Sequence, residues 1–273
     1  AMIKVKDLRK SYSLSYFSKK RVLALQGFSF EAHKPSIVGI IGPNGAGKTT
    51  FFKLLVGLIT PTSGEVEIHG YSPRDAASRR QIGYLPEVFH LPQFFTPKRT
   101  LDLVGKLYNI PKERLLPRIH ESLEFVNLSE WGNVEVGKLS KGMLQRLGIA
   151  QALLPDPSIL ILDEPLDGID AEARHSIKTL LKSAKDRQKL VLLSSHILSD
   201  VDELCDEIVF LNRGTEICKL NKADIVSQEK YIVKIDGKEL DSERLKSCHA
   251  EFSYVNGFYQ AEIANTLELT NTL

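Results

Sequence analysis

Eight consecutive residues, Gly42-Pro43-Asn44-Gly45-Ala46-Gly47-Lys48-Thr49, fit the pattern GxxxxGK[ST]. Glycines at these points let backbone N–H groups turn toward one centre, and a helix starting at Lys48 adds the positive end of its dipole. A loop built this way wraps phosphate oxygens. Gly42, Asn44, Gly45, Ala46, Gly47 and Thr50 are expected to line it, with Lys48 reaching the β and γ phosphates and Thr49 offering its hydroxyl to Mg²⁺. The competing reading, a glycine-rich turn that binds nothing, is disfavoured because the apolar run Ile37 to Ile41 precedes the loop and a helical pattern follows it. The dinucleotide pattern GxGxxG is not written here, which disfavours hydride transfer.

A second chemical centre is the pair Asp163-Glu164, which follows Ile159-Leu160-Ile161-Leu162 directly. Two carboxylates at the C-terminal end of a buried strand lie where ligands of open α/β sheets collect. Asp163 is read as the metal-side residue and Glu164 as the group that polarises an attacking water. Leu190-Val191-Leu192-Leu193 delivers Ser194-Ser195-His196 to the same sheet edge, so His196 can approach a γ-phosphate as a donor. Ser140, ahead of an amphipathic segment, is a natural N-cap, and this helix start is either that alone or a second anion site.

These residues need a scaffold that brings distant segments to one edge. Four continuous apolar runs, Ile37 to Ile41, Ile159 to Leu162, Leu190 to Leu193 and Ile208 to Leu211, read as strands buried on both faces of a mostly parallel sheet. Helical patterns at Lys48 to Leu58, Lys141 to Leu153, Ala171 to Asp186 and Leu198 to Cys205 alternate with them, as in an α/β fold. Ile3 to Lys6 and Phe28 to Ala32 alternate like half-buried strands and predict an antiparallel edge at the front. From Ser72 to Val136, prolines at 86, 92, 97, 111 and 117 break up apolar helical segments, which predicts a helical insertion, about 85–150 in extent. Past Asn221 the alternation of Lys230 to Asp236, and two strand-like runs flanking Asn256-Gly257, predict a small α+β appendage over 221–273.

Composition narrows the function classes. A chain of 273 residues with 42% hydrophobic and 26% charged residues can bury a self-sufficient core. Its 36 basic against 34 acidic residues leave +2, too little to imply a nucleic-acid partner. Three cysteines, Cys205, Cys218 and Cys248, without zinc-site spacing, fit a reduced cytoplasmic protein. No apolar run approaches the ~18 residues of a membrane-spanning helix.

The order and spacing of six motifs over about residues 1–220 resemble the nucleotide-binding subunits of ABC transporters. Gly42 to Thr49 looks like Walker A, Ile159 to Glu164 like Walker B, and Leu139-Ser140-Lys141-Gly142-Met143 like the signature motif. Leu166 to Asp170 resembles the D-loop, His196 the switch histidine, and Tyr12 the aromatic that stacks on adenine, with Tyr16 or Phe17 as alternatives. The resemblance implies a P-loop NTPase core, a functional dimer (a homodimer or a pairing with a paralogous ATPase subunit), and ATP with Mg²⁺ between the subunits. Ser140 and Gly142 of one subunit would complete the site built on Walker A of the other. Hydrolysis, aided by Lys48, Glu164 and His196, would drive an integral membrane permease from its cytoplasmic face.

Two departures narrow the family. In Gly83-Tyr84-Leu85-Pro86-Glu87, Glu87 stands where the family usually carries a glutamine, and it is expected to approach Mg²⁺ or the attacking water; Gln93 is an alternative. The signature reads Leu-Ser-Lys-Gly-Met instead of Leu-Ser-Gly-Gly-Gln. Both features, with the appendage, look like the ATPase subunits of bacterial exporters of drugs, peptides or polysaccharides. A soluble ABC-type ATPase on ribosomes or DNA is the alternative from another class. A P-loop kinase or GTPase would leave the signature and His196 segments unexplained. Lys19, Lys20 and Arg21 read as a solvated face or a contact with anionic lipid.

Overall fold

The computed structural model describes residues 1–13 and 21–222, together with the backbone of three strands within 231–263. Tyr16, Phe17, Lys19, Lys20, Cys248 and the Asn256-Gly257 turn lie outside the described residues.

The four apolar runs become β3 (Ile37–Ile41), β6 (Ile159–Leu162), β7 (Leu190–Ser195) and β8 (Glu207–Asn212). With β5 (Ile82–Leu85) they form five parallel strands, in the order β5-β6-β7-β3-β8, and β9 (Thr215–Asn221) closes the sheet antiparallel to β8. Successive side chains on a strand point to opposite faces, so each run feeds two cores. Leu160, Leu162, Val191 and Leu193 face one side, beneath the helices α3 (Pro97–Leu107), α4 (Lys112–Phe125), α5 (Lys141–Leu153), α6 (Ala171–Asp186) and α7 (Leu198–Leu204). Ile159, Ile161, Leu190 and Leu192 face the other, against α1 (Lys48–Leu55) and the N-terminal strands.

Those strands, β1 (Ile3–Ser13) and β2 (Arg21–Ala32), pair antiparallel and recruit β4 (Ser63–Ile68) into a separate sheet, β2-β1-β4. Phe28 of β2 meets Phe51 of α1 edge-to-face at 4.8 Å, which ties this sheet to the helix that follows the loop 42–47. A short α2 (Ala76–Arg80) precedes β5.

Prolines shape the helical segment in two ways. Pro97 opens α3 beside its N-cap Thr96, whose hydroxyl accepts from Arg99 N. Pro117, expected as a break, lies inside α4 instead. An interior proline costs about 3 kcal/mol, and burial of Leu115, Ile119 and Leu123 on one face, at roughly 1.5–3 kcal/mol each, offsets it. Farther along, β10 (Tyr231–Asp236), β11 (Ser253–Val255) and β12 (Phe258–Ile263) form an antiparallel sheet in the order β10-β12-β11.

Candidate functional site

The loop 42–47 runs from the end of β3 to the first turn of α1. Its last residue, Gly47, has φ +107°, and a Cβ there would lie 2.4 Å from Ala24 O, so glycine alone fits both the dihedral and the space. Lys48 follows immediately and is only 6% exposed. Its Nζ curls back over the loop, donating to Gly42 O at 2.6 Å and to Pro43 O at 3.4 Å, and pairs with Glu164 Oε1 at 3.2 Å. Lys48 is thus a buried ammonium held by two loop carbonyls and one carboxylate.

The acidic pair sits at the end of β6, next to β7. Asp163 is fully buried, and its Oδ1 accepts from Ser194 Oγ at 2.6 Å. The same Ser194 hydroxyl oxygen accepts from Glu164 N at 2.7 Å, so one side chain ties both members of the pair to β7. Burial pushes the Asp163 carboxyl above the usual range, while the Ser194 and Thr49 hydroxyls act in the opposite direction. Asp163 Oδ2 has no hydrogen-bond partner.

Glu164 has φ +49°, an uncommon backbone conformation for a residue with a side chain. Its carboxylate is clamped from two directions, with Lys48 on Oε1 and His196 Nδ1 3.0 Å from Oε2. His196 Nε2 lies 4.0 Å from Asp167 Oδ1. Glu164 is therefore in direct contact with both Lys48 and His196, each from a separate segment.

Other expected residues have partners elsewhere in the subunit. Ser140 is exposed and caps α5, accepting from Met143 N at 3.2 Å. Gly142 lies where an added Cβ would come within 2.5 Å of Ala173 Cβ, so its absence of a side chain permits close packing of α5 on α6. Asp170 caps α6 through Ala173 N at 2.8 Å. Tyr12 is 39% exposed near the end of β1, with Lys10 Nζ 5.2 Å from its ring centroid. Glu87 is exposed at the bend after β5. Gln93 is also exposed, and its carbonyl accepts from Gly137 N.

Sequence reasoning assigns no role to two residues beside the acidic pair. Ser194 was read only as part of the segment that delivers His196. Tyr84, on β5, carries a buried hydroxyl without a hydrogen-bond partner, and burial raises its pKa, with the charges of Asp163 and Glu87 adding to the shift.

The family model described as ABC transporter matches residues 25–167. An uncharacterized ABC transporter ATP-binding protein of a Nostoc species is 36% identical over 267 residues, covering 96% of this chain and 79% of that protein. Nod factor export ATP-binding protein I of Ralstonia nicotianae is 31% identical over 247 residues, 89% of this chain and 75% of its own length. Among solved structures, an ATP-binding subunit of an ABC transporter superposes with a TM-score of 0.72 at 31% identity, covering 82% of this chain and 92% of that one. A dimeric ATP-binding cassette in a post-hydrolysis state with ADP and Pi also gives 0.72, at 27% identity, covering 81% of this chain and 98% of its own.

Proposed function

The chain belongs to the ABC transporter family as one of its ATP-binding proteins, and from that premise we propose that it hydrolyses ATP between two subunits to drive a separate membrane permease of an exporter. The observation that carries the reading is the clamp on Glu164: a carboxylate held between the loop lysine and His196, at the edge where β3, β6 and β7 end.

In this reading the triphosphate lies in loop 42–47 against Thr49 and Thr50, and its γ-phosphate draws Lys48 away from Gly42 O and Glu164. Freed on one side and still oriented by His196, Glu164 accepts a hydrogen bond from the attacking water. The water oxygen bonds to the γ-phosphorus as the bond to the β,γ-bridging oxygen breaks, one water proton staying on the phosphate formed and the other leaving through Glu164 to solvent, giving ADP and hydrogen phosphate.

Among the described residues no cluster of three or more His, Cys, Asp or Glu side chains is set to hold a metal alone. Mg²⁺ takes one or two carboxylates and completes its shell with substrate phosphates and water. The buried Asp163, with Oδ2 unpartnered and Thr49 beside it, fits such a role. Thr49 and Asp163, with Glu87 as the third candidate, would hold the ion. Mg²⁺ would supply neutralisation of phosphate charge.

Ser140 and Gly142 would meet the nucleotide of the partner subunit, and Tyr12 would stack on the adenine. The dimeric neighbour with ADP and Pi supports the pairing, whether between identical or paralogous subunits. The Nod factor export name of a relative supports export. No helix among the described residues is long and apolar enough to cross a membrane, and the reading places the chain on the cytoplasmic face beside its permease, with no nucleic-acid partner. It divides the chain into a nucleotide-binding domain, 1–220, with a helical insertion at about 85–150, and an appendage, 221–273.

Affinity purification from membranes tests the coupling. An integral membrane protein should co-purify in stoichiometric amount and stimulate ATP turnover on reconstitution, and consistent recovery of the chain without any integral protein would argue against it.

A further inference from the structure

Tyr84 and Asp163 lie on adjacent parallel strands. The register sets Tyr84 beside Ile161 and Leu85 beside Leu162, and Asp163 N continues the ladder by donating to Leu85 O at 2.9 Å. Because side chains alternate, Asp163, two residues beyond Ile161, shares the face on which Tyr84 and Ile161 pack toward α1. With strands about 4.8 Å apart and a rise of about 3.3 Å per residue, such diagonal neighbours stand roughly 8 Å apart at the backbone, a gap that a long aromatic side chain spans.

Two buried polar atoms on this face lack partners, the Tyr84 hydroxyl and Asp163 Oδ2. One is a donor at neutral pH and the other an acceptor, so each has what the other lacks. Glu87, the other carboxylate near the phenol, is exposed and has solvent to accept from, whereas Asp163 is 0% exposed. An unmade hydrogen bond costs most where water cannot replace it.

We propose that Tyr84 is a positioning residue of the nucleotide site: with Mg²⁺ and nucleotide bound, its hydroxyl donates to Asp163 Oδ2 and fixes the carboxylate in the orientation that serves the metal. The assignment rests on the Mg²⁺-nucleotide reading above. Ser194 holds one carboxylate oxygen from β7 and Tyr84 holds the other from β5, so Asp163 is gripped from both flanking strands while each oxygen keeps a second lone pair for the metal. Because the hydroxyl makes no hydrogen bond within the chain, its removal should leave the free protein intact.

The test is Tyr84→Phe against wild type in three measurements. Thermal unfolding of the nucleotide-free protein should be unchanged or slightly raised. Affinity for the non-hydrolysable β,γ-imido analogue of ATP in EDTA should stay within about twofold, since neither partner touches nucleotide without metal. Calorimetric titration of Mg²⁺ into the analogue-saturated protein should show affinity weakened by about tenfold, the effect of one hydrogen bond to a charged group. A marked loss of stability in the free variant would show that the hydroxyl is a structural anchor and overturn the assignment, as would unchanged Mg²⁺ affinity. Failure of wild type to bind the analogue at all would instead overturn the nucleotide reading on which the assignment stands, a result separable from any difference between the two proteins.

Discussion

Replacing Ser194 by alanine removes one hydroxyl and breaks two bonds at the centre of the site. Its Oγ–H donates to Asp163 Oδ1 at 2.6 Å, and the oxygen accepts from Glu164 N at 2.7 Å. Both Ser194 and Asp163 are fully buried. A hydrogen bond to a charged group contributes about 1.5–3 kcal/mol, and an unpaired buried N–H costs about 1–3 kcal/mol. Ser194→Ala should therefore destabilise the nucleotide-free protein by roughly 3–5 kcal/mol, a large share of a typical ~5–15 kcal/mol stability. Urea unfolding with a constant m-value measures it, and the same variant in an Asp163→Ala background isolates the carboxylate share. There the cost should fall to the N–H contribution, about 1–3 kcal/mol. Turnover should drop as well, because Glu164 loses the tether that holds its positive-φ backbone. A loss below about 1 kcal/mol, or equal losses in both backgrounds, would refute the idea that Ser194 binds the acidic pair to β7.

Other perturbations address separate parts of the account. Lys48→Ala should weaken ATP binding by at least about tenfold, by loss of a charge-assisted contact, and unchanged affinity in a filter-binding assay would remove the loop from phosphate recognition. Gly142→Val should separate α5 from α6, because even a Cβ comes within 2.5 Å of Ala173; a thermal midpoint equal to wild type would contradict that packing. The Asp156 carboxyl is held below its ordinary value first by the hydrogen bond from Lys189. Its contribution to stability is therefore present above the unfolded carboxylate value of about 3.9 and is lost as pH falls through the lower folded value. Asp156→Asn should melt below wild type near neutrality, and the gap should close in strong acid. A gap that widened on acidification would reverse the sign. Asp156 is largely exposed, so the effect is small.

Legibility from sequence followed the physics of each element. The runs ending at Ile41, Leu162, Leu193 and Leu211 are visible because parallel strands are apolar on both faces, and the helical pattern from Ala171 to Asp186 coincides with α6, which Asp170 caps. By contrast β4, with Glu65 and Glu67 turned to solvent and a single fully buried residue, offers little apolar signal. Pro117 reads locally as a break, and only the buried face of α4 overrides it. The addition of β4 to the β2-β1 pair depends on pairings of residues some sixty positions apart, such as Ile3 with Ile68.

Site residues divide in the same way. Lys48, Asp163, Glu164 and His196 sit beside local cues, a glycine loop or the end of an apolar run. The grip of Ser194 on Asp163 joins residues 31 apart, and Tyr84 reaches the face of Asp163 only through the pairing of β5 with β6. No local pattern encodes such contacts; they exist only once β5, β6 and β7 are in register. The clamp of Lys48 on Glu164 is equally nonlocal.

The most direct test of the central claim is light scattering after size-exclusion chromatography of Glu164→Gln, with and without ATP and Mg²⁺. The substitution keeps the shape of the side chain and removes the charge that Lys48 and His196 clamp. The account predicts a mass that doubles only when ATP and Mg²⁺ are both present, since turnover is arrested with two nucleotides between the loop of one subunit and Ser140 of the other. A mass that stays monomeric while ATP binds would contradict the two-subunit site, and normal ATP turnover by the variant would remove Glu164 from the chemistry.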